Sequence, residues 1–246
     1  MRRCVVKNPA AGGGRWVEVP PERFVSWFVA FAERHAGADG VAVSWPAGTR
    51  GAGGTVTFSA ADGAAAECHP PFPLPSAAAG ISGVLEAAEA LAADAAADRT
   101  VGVLLVRLGG YAVGVFSGAP PRLVSSKTGS RPVHGRSAAG GWSQQRFARR
   151  RENQAATALR AAADAAAEVF GPYGPAGLDA VVLGGDKRSA AGLRDDVRLT
   201  GYLARAAGRF LTVPDPRLAV LRDTTRAFLA IRIRLTEPQT AGPVAG

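Results

Sequence analysis

Residues 100–126 read TVGVLLVRLGGYAVGVFSGAPPRLVSS, and the class of fold turns on them. Two apolar runs, Val101 to Arg107 and Tyr111 to Phe116, flank Leu108-Gly109-Gly110, and a third run, Arg122 to Ser126, follows a second turn. Apolar, β-branched runs joined by a short glycine turn predict a hairpin, and the third run extends it into a meander. Downstream, RENQAATALRAAADAAAEVF predicts a long helix from about Gln145 to Phe170, because alanine has the highest helix propensity and GPYGPAG stops it. LDAVVLGGDKRSAAGLRDD then predicts a short buried strand, a glycine turn and the start of another helix. Strands alternating with helices make this middle region α/β, within a chain that is α+β overall.

Toward the N-terminus, VEVPPERFVSWFVAFAERHAG reads as a helix start, with proline in the first turn and Phe24, Trp27, Phe28 and Phe31 at three- and four-residue intervals. Core packing accounts for that aromatic stripe better than a binding surface. GVAVSW and GTVTFSA predict two strands, CHPPFPLP a stiff connection that suits neither a helix interior nor a central strand, and ISGVLEAAEALAADAAAD a helix. Residues 1–98 are therefore expected to form a helix-on-sheet domain, its role open, and residues 99–200 a second domain. Beyond them TGYLARAAGRF and PDPRLAVLRDTTRAFLA look helical and IRIRL alternates as a strand. Residues 201–235 are expected as an α/β extension that either completes the middle sheet or stands apart, with 236–246 a frayed tail.

A chain of 246 residues, 47% hydrophobic, can bury one large core or two or three modest ones. The net charge is +9, and between Arg131 and Arg160 seven arginines face one acid, Glu152, so two thirds of the excess sits in about an eighth of the chain. Such a field attracts polyanions through counterion release and steering, which points to RNA, DNA or an acidic membrane. Cys4 and Cys68 lie far apart without metal-ligand spacing, and no run of apolar residues is long enough to span a bilayer. A cytoplasmic protein, neither exported nor membrane-spanning, is expected.

Conventional catalytic sets are poorly represented. Of the three histidines, His35 ends a helix, His69 adjoins prolines, and His134 reads as an RNA contact or exposed residue more readily than as an acid-base group. Asp195-Asp196 has no third acidic ligand at motif spacing and reads as a helix terminus or solvated surface. VVLGGDKR lacks the Gly-Lys-Ser/Thr ending of a phosphate loop. A sheet-edge turn is the stronger reading there, with Lys187 and Arg188 as conceivable phosphate contacts.

The segment Gly140 to Arg151 is more specific. Gly140 and Gly141 allow positive φ and close backbone approach to a ligand. Ser143 is placed to cap a helix starting near Gln144, Arg146 and Arg150 share a helix face, and Arg149 lies on the adjacent stripe. Gln144 and Gln145 cannot act as general bases, but a rigidly held amide can orient water or donate to developing charge. Hydrolysis in which a partner supplies much of the site and a glycine-rich RNA-binding loop without catalysis both remain open from the residues alone.

From VGVLLVRLGGYAVGVF through PPRLVSSKTGSRPVHGRSAAGGWSQQRFARRRENQ to LDAVVLGGDKR, about residues 99–200, the chain resembles the catalytic middle domain of the eukaryotic and archaeal peptide-chain release factors. It resembles the actinobacterial Vms1-like branch (VLRF1) more closely. His134, Gly135, Arg136, Gly140, Gly141, Arg146, Phe147, Ala148 and Arg149 follow the family's order of a basic passage, a Gly-Gly-Gln loop and an Arg-Phe-Ala-Arg helix. Here Trp142 and Ser143 intervene before Gln144, as in the looser Gly-x-x-Gln form of the Vms1-like branch, and Trp142 stands where strict alignment would put the glutamine. The resemblance implies a mixed sheet with a long basic helix and hydrolysis of the peptidyl-tRNA ester at the ribosomal peptidyl-transferase centre, in rescue of stalled complexes. Gln144 would orient water, with Gln145 the alternative, on a loop freed by Gly140 and Gly141. His134, Arg136, Arg146, Arg149 and Arg150 would contact RNA, and Trp142 would stack on a base. The implied partners are the large ribosomal subunit, its RNA and peptidyl-tRNA, for a monomer without cofactor or metal. The competing classes are a non-catalytic ribosome- or RNA-binding factor and a nuclease, the latter weakened by the missing carboxylate cluster or histidine pair.

Overall fold

The computed structural model describes residues 8–9, 13–35, 37–45, 54–74, 81–107, 109–130 and 143–238, with the backbone alone for 8–9, 38 and 143–155. The chain divides into two compact units, one drawn from residues 1–97 and 229–246, the other Asp98–Phe228.

The first unit is a six-stranded sheet with two helices. Its strands are β1 (Asn8–Pro9), β2 (Arg15–Val19), β3 (Val41–Ser44), β4 (Val56–Ala60), β5 (Ala65–His69) and β11 (Ile231–Thr236), in the order β1-β2-β11-β5-β4-β3. Helix α1 (Pro21–Arg34) and helix α2 (Val84–Ala96) share one core with the inward side chains of those strands, including Val17, Ile233, Cys68 and Phe58. The alternation is clean: in β11, Ile231, Ile233 and Leu235 are buried while Arg232 is exposed. The aromatic stripe of α1 is core, as its spacing predicts, with Phe24, Phe28 and Phe31 buried and the Phe28 ring centroid 4.6 Å from that of Phe58. Burying each such side chain stabilises by about 1.5–3 kcal/mol.

Two sequence expectations change here. Val17 to Val19 belong to β2 rather than to the helix, because Pro20 and Pro21 cannot continue the ladder and Pro21 instead opens α1. IRIRL is a strand as predicted, but it lies between β2 and β5, antiparallel to both. Its backbone thereby satisfies hydrogen bonds on both sides, at the middle of a sheet whose other strands lie more than 150 residues earlier.

The second unit is a five-stranded sheet built on β6 (Val101–Arg107), β7 (Gly110–Ser117) and β8 (Arg122–Ser130), the predicted meander. It is completed by β9 (Ala180–Gly185) and β10 (Ala206–Leu211), giving the order β10-β9-β6-β7-β8. β9 pairs parallel to both β6 and β10, and the β6-β7 and β7-β8 pairs are antiparallel. The long helix α3 (Ser143–Phe170) and the short α4 (Lys187–Gly192) cover one face, where Ala162, Ala166 and Phe170 meet Leu104, Val113 and Val181. On the other face α6 (Leu218–Leu229) brings Leu221 against Gly114 and Phe228 against Phe116, centroids 5.5 Å apart. Strands covered on both sides have no polar phase, and Val101 to Val106 are all buried.

TGYLARAAGRF departs from its helical reading. Only Thr200–Leu203 (α5) is helical, and Ala206–Leu211 is β10. Arg205 accounts for the break: its guanidinium donates to the Leu178 carbonyl, and its own carbonyl accepts from Val181 N–H. GGDKR is not at the sheet's edge either, since β9 lies between β10 and β6 and the turn leaves its carboxyl end. Residues 201–235 are shared out, with β10 and most of α6 in the second unit and β11 in the first.

Candidate functional site at one rim of the second sheet

Strand direction places the site. β6, β9, β10 and β8 all run the same way, so Arg107, Gly185, Leu211 and Ser130 end at one rim, which β7 enters at Gly110. The ladder aligns Arg107 with Gly110 and Gly110 with Ser130. From Ser130 the chain passes into residues 131–142 and returns as α3. The predicted site residues His134, Arg136, Gly140, Gly141 and Trp142 lie outside the described residues. Gln144, Gln145, Arg146, Arg149 and Arg150 lie on the first turns of α3, where only the backbone is described, and Ser143 is the helix's first residue.

The helix is two-part. From Ala162 onward it alternates buried alanines with exposed polar positions, and Phe170 sits over Gly102, where a Cβ would come within 3.1 Å of its ring. Lys127 of β8 is ion-paired with Glu168, which raises the lysine's pKa. Between residues 156 and 161 no side chain is buried. A helix rises about 1.5 Å per residue and a strand about 3.3 Å. From Phe170 at the level of Gly102, α3 therefore reaches the level of Arg107 near Leu159, and the turns back to Ser143 extend beyond the rim by roughly 20 Å. Four of the arginines of the basic run belong to that overhang.

Two glycines set the rim. Gly185 has φ +103°, and a Cβ there would lie 2.1 Å from the Val106 carbonyl oxygen, so only glycine lets β9 turn off beside β6. Asp186 N–H then donates to that same carbonyl at 2.8 Å. The Asp186 carboxylate caps α4, accepting from Ser189 N–H at 3.0 Å and Ser189 Oγ at 2.7 Å. These bonds, with Ser189's hydroxyl contributing most, lower its pKa. The second glycine is Gly129, next to last in β8. Its cross-strand partner Tyr111 lies across it, and a Cβ there would stand 2.5 Å from the tyrosine Cζ. The ring clamps the end of the edge strand from which the chain departs toward residue 131. Sequence reasoning missed this pair, although an isolated glycine in a strand pattern signals a close approach.

Other expected features resolve as structure. Arg107 donates to the Val213 carbonyl at 2.9 Å and lies 3.9 Å from Asp215. Asp196 caps a short 3-10 turn and pairs with Arg198, which also reaches Asp164 at 2.9 Å, a solvated network rather than a ligand set. His35 ends α1 and is held at 2.8 Å by Asp62, and His69 contacts Thr55 and the Trp16 ring. Cys68 is buried, which pushes its thiol pKa up. Among the described residues no helix is long and apolar enough to cross a membrane, and no group of three or more His, Cys, Asp or Glu could hold a metal.

Residues 99–234 match the actinobacteria/chloroflexi VLRF1 release factor family. No curated protein matches the chain. Among solved structures, an archaeal translation termination factor, aRF1, is 13% identical with a TM-score of 0.37, the alignment covering 87% of this chain and 66% of that one. A second, described only as an archaeal protein, is 12% identical with a TM-score of 0.35, covering 85% of this chain and 62% of that one. The chain thus spans a little under two thirds of the length of each. The family match takes in the whole second sheet, the overhanging helix and most of β11, more than half of the chain, which belongs to the actinobacteria/chloroflexi VLRF1 release factor family.

Proposed function

We propose that the protein hydrolyses the ester between a nascent peptide and transfer RNA at the peptidyl-transferase centre of the large ribosomal subunit, in rescue of stalled complexes. What supports the reading is the order of the chain, in which the Gly140-Gly141-Trp142-Ser143-Gln144 sequence follows a clamped edge strand and runs into a long arginine-rich helix, in a member of a release-factor family. A helix that outreaches its sheet by roughly 20 Å suits entry into a deep cavity, and the arginines on its first turns suit RNA walls.

In this mechanism Gly140 and Gly141 let the backbone pass close to RNA, and the Gln144 side-chain amide orients a water toward the ester carbonyl carbon. Water oxygen bonds to that carbon, the acyl–oxygen bond to the ribose breaks, and the proton leaves with the ribose hydroxyl, so peptide acid and free transfer RNA are the products. Backbone N–H groups of the loop stabilise the tetrahedral oxyanion. His134, Arg136, Arg146, Arg149 and Arg150 fix register on RNA phosphates, and Trp142 stacks on a base. The reading requires no cofactor and describes a cytoplasmic monomer.

The test is peptide release from peptidyl-tRNA on large subunits. Gln144→Ala should lose about 10²–10³-fold in rate while subunit binding persists. Loss in Gln145→Ala instead moves the role by one residue. Full release by both variants removes the glutamine mechanism, and subunit binding without any release by the wild type leaves a non-catalytic ribosome-binding factor.

A further inference from the structure

GGDKR leads from β9 into α4 with two exposed cations. The adjacent carboxylate of Asp186 accepts from Ser189 and the Arg188 N–H rather than from either cationic side chain, and those bonds keep it ionised, so the pair carries a local excess of one positive charge. Lys187 and Arg188 are exposed, and neither side chain has a hydrogen-bond or ion-pair partner among the described residues. A further acid at the rim, Asp215, lies beside Arg107.

Their location gives this charge a use. α4 lies on the same sheet face as α3, and Leu159 of α3 abuts Gly192, where a Cβ would be 2.8 Å from the leucine Cδ1. The two cations therefore begin a short helix whose last residue touches α3, and they stand at the rim where β9 ends. The arginines of the overhang, Arg146 and Arg149 to Arg151, lie eight or more residues before Leu159 with Glu152 between, so the rim cations form a separate patch of the same sign.

Resting on the proposed entry of the loop into an RNA-walled cavity, we infer that Lys187 and Arg188 form a second phosphate-binding surface for large-subunit ribosomal RNA, at the root of the overhang. A contact roughly 20 Å behind the first turn of α3 lies beyond the terminal nucleotide that bears the ester, and the continuous wall of the cavity is the RNA that runs alongside. The surface works through side-chain charge and adds phosphate contacts without reading sequence.

The test measures binding to large subunits without transfer RNA across a salt series. Lys187→Ala with Arg188→Ala should bind about tenfold more weakly at moderate salt, with the log–log salt slope shallower by about one to two. The charge-preserving Lys187→Arg with Arg188→Lys should restore most of the loss. The control is Arg222→Ala with Arg226→Ala, which removes the same charge from exposed positions of α6 on the opposite face. Equal loss in the control and the rim variant overturns the inference, as does wild-type affinity in the rim variant. A loss confined to subunits carrying peptidyl-tRNA assigns the contact to transfer RNA and overturns the ribosomal assignment. Because binding is the readout, a wild type that binds but releases nothing refutes the hydrolytic function and leaves this surface to be judged on its own result.

Discussion

The two sheets solve the same burial problem differently. The first unit keeps its helices on one face, so β11 alternates buried Ile231, Ile233 and Leu235 with Arg232 and Arg234. The second unit has helices on both faces, and β6 is buried at consecutive positions. A strand with a polar phase tolerates change at every other residue, whereas a strand without one is constrained throughout, and the constrained sheet carries the rim from which the proposed catalytic loop departs.

The largest expected effect breaks the first sheet at its centre. A chain ending at Phe228 lacks β11 and leaves β2 and β5 without their shared partner, so hydrogen exchange should show β2 and β5 unprotected while β6 and β7 stay protected. Protection retained in β2 would show that β11 is dispensable. Next, Gly185→Val places a side chain into the Val106 carbonyl at positive φ and should cost at least about 3 kcal/mol, read as loss of folded second unit in denaturant.

The contrast between sheets is sharpened by paired truncations. Leu104→Ala and Leu105→Ala point to opposite faces of β6 and should each cost about 2–5 kcal/mol. In β11 the inward Ile233→Ala should do so, with its outward neighbour Arg232→Ala costing under about 1 kcal/mol. A mild effect of Leu105→Ala would mean that the α6 face is not close-packed. Gly129→Ala forces the Tyr111 ring aside and should cost about 1–3 kcal/mol by thermal unfolding, most of it recovered on adding Tyr111→Ala.

A small effect is expected at the α4 cap. Asp186→Ala should cost about 1 kcal/mol at neutral pH. Because the folded carboxyl titrates below its ordinary value, its contribution is fully present above the ordinary carboxylate range. It fades as pH falls through the depressed folded value, so urea unfolding of wild type and variant should converge in acid. A gap that persists in acid would assign the loss to something other than the ionised cap.

Legibility followed the same division. The β6-β7-β8 meander and α3 were readable because each is built from local signals: continuous apolar runs, glycine turns and alanine propensity. Val17 to Val19 read as part of the helix start because so short a run carries little periodicity, and RAAGRF reads as helix because alanine and arginine favour one in isolation. Both became strands because a neighbouring strand offered its backbone hydrogen bonds, which outweigh a few tenths of a kcal/mol of propensity per residue. The loop chemistry was legible as residue types in order. The clamp on its base was not, since Tyr111 and Gly129 meet only across a ladder.

By itself, then, the sequence determined the basic run, the glycine-glutamine loop and its family, and the elements whose periodicity is local. Only the tertiary structure decided that IRIRL closes the first sheet, that four strands end at one rim, and that Lys187 and Arg188 stand at the root of the overhanging helix. Those outcomes depend on which distant backbone groups and side chains meet, and pairing across long chain separations leaves no trace in any short stretch of residues.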